Sequence, residues 1–269
     1  MTTLPPKTKK KLGLAIDLDI CVGCHACVTS CKEWNSSALT STPLSDFDPY
    51  GQTPYGTFLN RVHAFEIVSD QGHQQVYFPR SCLHCEEPDC VSVCPTGASY
   101  KREEDGIVLV NPDHCIGCKL CSWACPYGAR EYDEADGVMK KCTLCVDRLY
   151  NENIDEQERK PACVLACPTG ARHFGDFGDE KSEISTLSKD RGGFGLLEEF
   201  GYKPVNQYLP PRAKRDQTNA SKTHHNTEVT DFKSSLKKDD LQANQGHKKS
   251  HIENFFRWVD RTLSDEKSI

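Results

Sequence analysis

The stretch Cys21-Val22-Gly23-Cys24-His25-Ala26-Cys27-Val28-Thr29-Ser30-Cys31 sets four cysteines at the spacing C-x2-C-x2-C-x3-C. So many sulfur ligands so close together overfill one tetrahedral zinc. The spacing suits a pair of iron-sulfur clusters, in which three cysteines serve one cluster and the fourth serves its neighbour. Cys115, Cys118, Cys121 and Cys125 repeat it, followed by Pro126. Cys82, Cys85, Cys90 and Cys94, with Pro95, form a variant with two extra residues in its middle. The fourth group is divided into Cys142 and Cys145, then Cys163 and Cys167 with Pro168. These groups use all 16 cysteines of the chain, and they imply four [4Fe-4S] clusters.

Disulfides, structural zinc and free buried thiols are the competing readings. Only Cys142, Cys145, Cys163 and Cys167 would pass for zinc when taken alone, as two separated pairs. Internal repetition argues against it, because Cys167-Pro168-Thr169-Gly170-Ala171 repeats Cys94-Pro95-Thr96-Gly97-Ala98, and Cys125-Pro126-Tyr127-Gly128-Ala129 is a close variant. Each unit reads as a cysteine loop, a short helix carrying the fourth cysteine, and a turn back into a strand. Under the sharing rule for paired clusters, the adjacent second and third groups exchange their last cysteines, leaving the first to exchange with the fourth. The expected ligand sets are Cys21, Cys24, Cys27 and Cys167; Cys31, Cys142, Cys145 and Cys163; Cys82, Cys85, Cys90 and Cys125; and Cys94, Cys115, Cys118 and Cys121.

The fold class that follows is α+β: two ferredoxin-like modules with inserted loops and hairpins, then an extended tail ending in an amphipathic helix. Residues 12–34 and 135–178 form the first, split module, and residues 81–134 the second. Between them, residues 35–80 are an insertion whose Arg61–Val68 and Gln75–Pro79 make a hairpin, while Ser99–Arg102 and Ile107–Val110 make another. Residues 12–20 read as a strand leading into the first loop. A polar tail is expected over 179–249, and over 250–266 a helix opened by Ser250 and Glu253 with Ile252, Phe255, Phe256, Val259 and Leu263 on one face.

Composition fits a fold held partly by metal. Apolar residues are only 37% of the 269, and mean hydropathy is -0.61, so cluster ligation replaces part of the usual core. No run approaches the roughly 18 apolar residues of a membrane span. The start lacks an apolar signal region and a twin arginine, which sets the expectation of the cytoplasm unless a partner carries the chain across. Residues 1–210 hold 21 Lys and Arg against 30 Asp and Glu, and the remainder 12 against 9, so no basic stripe favours nucleic acid.

No catalytic triad, nucleotide loop or flavin fingerprint is present, and a chain with four clusters and no substrate site reads as a wire. His25, His84 and His114 are expected to bond backbone or sulfur rather than iron. Trp34 and Trp123 are read as shielding clusters, and Lys32, Lys119, Lys140 and Lys141 as offsetting their charge or simply solvated.

Over residues 13–178 the order of the groups, with C-x2-C-x4-C-x3-C-P second and a divided fourth, resembles the four-cluster subunits of the dimethyl sulfoxide reductase family of molybdenum enzymes. The resemblance implies a molybdenum bis-pterin catalytic subunit, a quinone-reactive integral membrane anchor, and a place on the inner face of the cytoplasmic membrane. It implies that the cluster of Cys21, Cys24, Cys27 and Cys167 faces molybdenum and that of Cys94, Cys115, Cys118 and Cys121 faces quinone. Cys118 stands where nitrate-reductase relatives have tryptophan. CVGCHACVTSCKEWN followed by PLSDFDPYGQTPYGTFLNRVHAFEI is most similar to the branch that oxidises sulfite to sulfate. The alternatives are reduction of dimethyl sulfoxide, polysulfide or tetrathionate, a free polyferredoxin, and a redox sensor or cluster store.

Overall fold

The computed structural model describes residues 4–5, 10–35, 57–69 and 72–212. Residues 36–56 of the insertion, most of the tail and the helix expected at 250–266 lie outside the described residues.

Strand β1 (Leu12–Asp17) is the centre of a three-stranded sheet, antiparallel to β8 (Arg172–Asp176) and parallel to β9 (Gln207–Leu209). All six residues of β1 are buried, because a central strand covered on both faces keeps no polar side. Ala15 packs with Leu209 and with Ile184 of helix α6 (Glu183–Arg191). Arg191, at the end of α6, forks onto the buried carboxylate of Asp17 at 2.6 and 3.1 Å.

Among the described residues there are also three antiparallel hairpins, each a two-stranded sheet of its own. Strands β2 (Asn60–Ser69) and β3 (Gly72–Ser81) form the long one, and β4 (Ser99–Lys101) and β5 (Val108–Val110) a short one, as the alternating sequence implies. The third, β6 (Glu131–Asp133) with β7 (Val138–Lys140), is additional to the sequence reading. Its turn is made by Asp133, whose carboxylate accepts the N–H groups of Ala135 and Asp136 at 3.0 and 3.2 Å.

Residues 183–209 differ from the extended tail expected there, since α6 and β9 are folded parts of the main body. The lack of a clear apolar period concealed them, because the burial they supply comes through single residues set far apart. Tyr208 is fully buried, stacks on Phe78 of β3 at 4.5 Å, and donates its hydroxyl to the Pro79 carbonyl at 2.9 Å. Asn206 accepts the Leu14 N–H at 2.8 Å and donates to the Cys82 carbonyl at 3.0 Å, while Val205 N–H bonds Leu83. This segment stitches the strand that leads into the first cysteine group to the loop that opens the second.

Asn206→Leu would strip two buried backbone groups of their partners at about 1–3 kcal/mol each. Thermal unfolding of the cluster-loaded protein is expected to show a drop of at least several degrees, and an unchanged transition would remove Asn206 from this role.

Candidate metal centres

The cysteine loops are built by left-handed residues and stopped by proline. Between the first two cysteines of each group one residue has positive φ: Gly23 at 66°, His84 at 48°, Gly117 at 66° and Leu144 at 53°. This curl turns backbone N–H groups toward sulfur, as where His84 N–H reaches Cys82 Sγ and Leu144 N–H reaches Cys142 Sγ, each at 3.5 Å. Glycine is needed at residue 23, because a Cβ there would lie 2.2 Å from the Tyr77 ring.

After the loop, helix α1 (Ala26–Asn35) carries both Cys27 and Cys31. Of the single turns, α2 (Asp89–Ser92), α3 (Leu120–Trp123) and α5 (Ala162–Leu165) carry only the third cysteine, and α4 (Val146–Leu149) carries none. The helix was expected to carry the fourth. In these groups the fourth residue precedes Pro95, Pro126 or Pro168, and a residue before proline is pushed out of helical geometry. Lys32 follows Cys31 instead of proline, so α1 runs on.

The structure brings the cysteines together across groups. Cys82, Cys85, Cys90 and Cys125 line one recess; Cys94, Cys115, Cys118 and Cys121 line another; Cys31, Cys142, Cys145 and Cys163 line a third. Cys21 lies close enough to Cys27 and Cys167 to feel their charge. The set Cys142, Cys145, Cys163 and Cys167 that alone would read as zinc is thus divided between two sites.

Burial dominates the chemistry of these sulfurs. It pushes the Cys142 thiol up to about 12; Lys141 opposes this, while Cys163 and Cys82 add to it. The same desolvation, with Cys142, Cys163 and Cys145 adding, raises Cys31. Sulfurs so placed are stable as thiolates only when iron takes the place of the proton.

Among the described residues no three His, Cys, Asp or Glu side chains converge as they would on a single ion. Buried polar atoms are also left without partners: Arg130 Nη1 belongs to the lining of the first recess, and Asn60 Nδ2 and Ser81 Oγ to that of the third. A sulfur-rich group filling the recess supplies acceptors for such donors.

His84 is fully buried, its Nδ1 accepting the Val108 N–H at 3.1 Å; burial first, then Lys141, Lys101 and Arg130, keep it neutral. Lys119 lies 4.0 Å from the centre of the Tyr132 ring, and Lys140 pairs with Asp133 and Asp136. Lys141 alone of the four lysines is buried. Trp34 donates to Asp147 at 2.8 Å, but Trp123 is 87% exposed and shields nothing. Arg130 and Arg172, both buried against cysteine sulfur, went unread in the sequence. The signal was available: each ends a Cys-Pro-x-Gly-Ala-Arg repeat, at 125–130 and 167–172.

Exposure is graded along the quartets. Cys31, Cys142, Cys145 and Cys163 are all buried, whereas Cys24 and Cys118 are exposed. Val22 is exposed beside Cys24, and Ile116, Leu120 and Trp123 beside Cys118.

Comparison with known proteins agrees with this chemistry. Two 4Fe-4S dicluster domain families match, over residues 20–98 and 73–177. One of the subunits of sulfite dehydrogenase from Allochromatium vinosum is 60% identical over 205 residues, covering 76% of this chain and 85% of that protein. One of the subunits of tetrathionate reductase from Salmonella typhimurium is 39% identical, covering 75% and 73%. The iron-sulfur cluster-binding subunit of menaquinone reductase from Nitratidesulfovibrio vulgaris is 34% identical, covering 76% and 90%.

Gly23→Ala sets a methyl into the Tyr77 ring on backbone that disfavours any side chain. Iron analysis of the purified variant is expected to show about one cluster lost of the four; full iron content would show that the loop tolerates the change.

Proposed function

The chain belongs to the four-cluster iron-sulfur subunits of the dimethyl sulfoxide reductase family and transfers electrons through four [4Fe-4S] clusters, and from that premise we propose how it is wired and what it serves. The ligands of the four clusters are Cys21, Cys24, Cys27 and Cys167; Cys31, Cys142, Cys145 and Cys163; Cys82, Cys85, Cys90 and Cys125; and Cys94, Cys115, Cys118 and Cys121. The sequence in space proposed for them is supported by the sulfurs that sense one another across quartets: Cys27 with Cys163, Cys142 with Cys82, and Cys90 with Cys121.

The observation that carries the reading is the exposure at the two ends of that order. The outer quartets alone have an exposed cysteine, Cys24 at one end and Cys118 at the other, each with exposed apolar neighbours. A relay needs this shape. Electrons enter and leave where protein covers the metal thinly, and the inner quartets have no exposed cysteine. When bound, the clusters accept and release one electron at a time, which lets them divide a two-electron conversion into single steps.

The chain's own residues hold that relay in place. Backbone N–H groups of the left-handed loops bond the cysteine sulfurs, and the 183–209 segment keeps the modules from shearing. The Cys24 end serves a molybdenum bis-pterin catalytic subunit, and the Cys118 end a quinone-reactive membrane anchor. Among the described residues no helix is long and apolar enough to cross a membrane. The place proposed for the chain is the inner face of the cytoplasmic membrane, held there by the anchor. The reaction served is oxidation of sulfite to sulfate, the reading supported by the relative with 60% identity. The second reading, reduction of tetrathionate or dimethyl sulfoxide by the same wiring, draws on relatives at 39% and 35% identity.

Anaerobic addition of sulfite to the purified native complex is expected to bring up reduced-cluster signals in electron paramagnetic resonance and to reduce an added quinone analogue. Silence with sulfite, with reoxidation of prereduced clusters by tetrathionate or dimethyl sulfoxide, would assign the complex to the reductases.

A further inference from the structure

Among the described residues Arg172, Lys141 and Arg130 are buried in contact with cysteine sulfur or a cysteine carbonyl and are spaced along the relay; Lys101 also donates to the Cys85 carbonyl at 2.8 Å, but its charge is paired with Glu86. Arg172, the first residue of β8, is 4% exposed; its Nη1 lies 3.6 Å from Cys163 Sγ and its Nη2 donates to Asn60 Oδ1 at 2.8 Å. Arg130, just before β6, is 5% exposed; its Nη2 donates to Cys90 Sγ at 2.9 Å and to Ser99 Oγ at 2.8 Å. Lys141, just after β7, is 2% exposed, and its Nζ donates to the Cys142 carbonyl at 2.5 Å.

Each cation addresses two quartets. Arg172 meets Cys163 of one, and its charge acts on Cys27 of the next. Lys141 acts on Cys142 and on Cys90. Arg130 bonds Cys90, and its charge also acts on Cys121. Burial alone would strip charge from a guanidinium, but the sulfurs around Arg172 more than offset it, so its pKa is raised. Arginine in proteins keeps its proton throughout, which makes it a fixed charge rather than a switch.

We infer that Arg172, Lys141 and Arg130 are junction cations, one between each successive pair of clusters, each raising the reduction potentials of both its neighbours. The inference rests on the quartets proposed above. An electron hopping along the relay oxidises one site and reduces the next, so one negative charge moves past a positive charge common to both. A cation between two sites stabilises the electron on either side, so it levels the step while making both sites easier to reduce. In a desolvated interior such charges act strongly, because little solvent screens them. No proton need move with the electron. The repeated position of the two arginines, five residues past Cys125 and Cys167, gives each module the same device, and Lys141 serves the passage between modules. These are positioning residues that act through the clusters.

The test is a potentiometric titration of the full chain in its cluster-loaded complex, followed by electron paramagnetic resonance, for Arg172→Gln, Lys141→Met and Arg130→Gln. Each variant is expected to move two of the four midpoints downward by about a tenfold change in the reduction equilibrium, about 59 mV for one electron. The pairs should overlap in a chain: Arg172→Gln and Lys141→Met share one moved signal, Lys141→Met and Arg130→Gln share another, and the two arginine variants share none. This pattern requires no prior assignment of signals. Shifts confined to one midpoint, shifts of all four alike, or no shift would overturn the inference.

If a neutral variant loses iron, Arg172→Lys, Arg130→Lys and Lys141→Arg carry the test. They are expected to keep both iron and wild-type midpoints, and charge-retaining variants with midpoints moved downward would overturn it. The quartet reading fails separately, if the wild-type chain binds fewer than four clusters.

Discussion

Sixteen cysteine sulfurs are packed into a body with too little apolar surface to be held by oil alone, and most of them are removed from water. That desolvation is the constraint on which the rest depends. A buried thiolate without partners is costly, and burial raises the thiol pKa at quartet after quartet. Iron offsets part of this cost, and the protein offsets more with backbone N–H groups and buried cations. The same bonds that carry electrons therefore hold the fold, which is why a hydropathy of -0.61 is compatible with a densely crossed structure.

The left-handed residues and prolines express the same constraint locally. A tight loop must aim several N–H groups at sulfur, which ordinary strand or helix geometry cannot do. Gly23 and Gly117 reach that conformation freely, whereas His84 and Leu144 reach it with side chains that bury into the interior. Proline then ends the short helices, fixing where the last cysteine of each group points.

Function follows from the gradient of burial. Cys31, Cys142, Cys145 and Cys163 are all buried, Cys82 and Cys125 are buried with Cys85 and Cys90 half-buried, and Cys24 and Cys118, at the proposed ends, are exposed among exposed apolar side chains. The long hairpin and the 183–209 segment add no sulfur. They brace the modules through Tyr208, Phe78 and Asn206, so the separations that govern hopping stay fixed.

Local spacing made the cysteine groups, their clusters, the two sequence-expected hairpins and the wire-like function legible, because cluster ligation is written in intervals of two to four residues. Strand β1 was legible too, although its burial on both faces was not, since that depends on β8 and on β9 nearly two hundred residues away. Helix α6 and β9 were missed for lack of an apolar pattern, their contribution resting on single residues such as Tyr208 that dock against distant strands. The two arginines ended a visible repeat, yet only the fold turns them inward against sulfur; Lys141 and Lys140 are adjacent in the chain, and only the fold buries one and leaves the other paired with Asp133 and Asp136. Covalent chemistry is local and can be read from the chain, whereas the sharing of a buried charge between two sites is long-range and is set only when the modules close on one another.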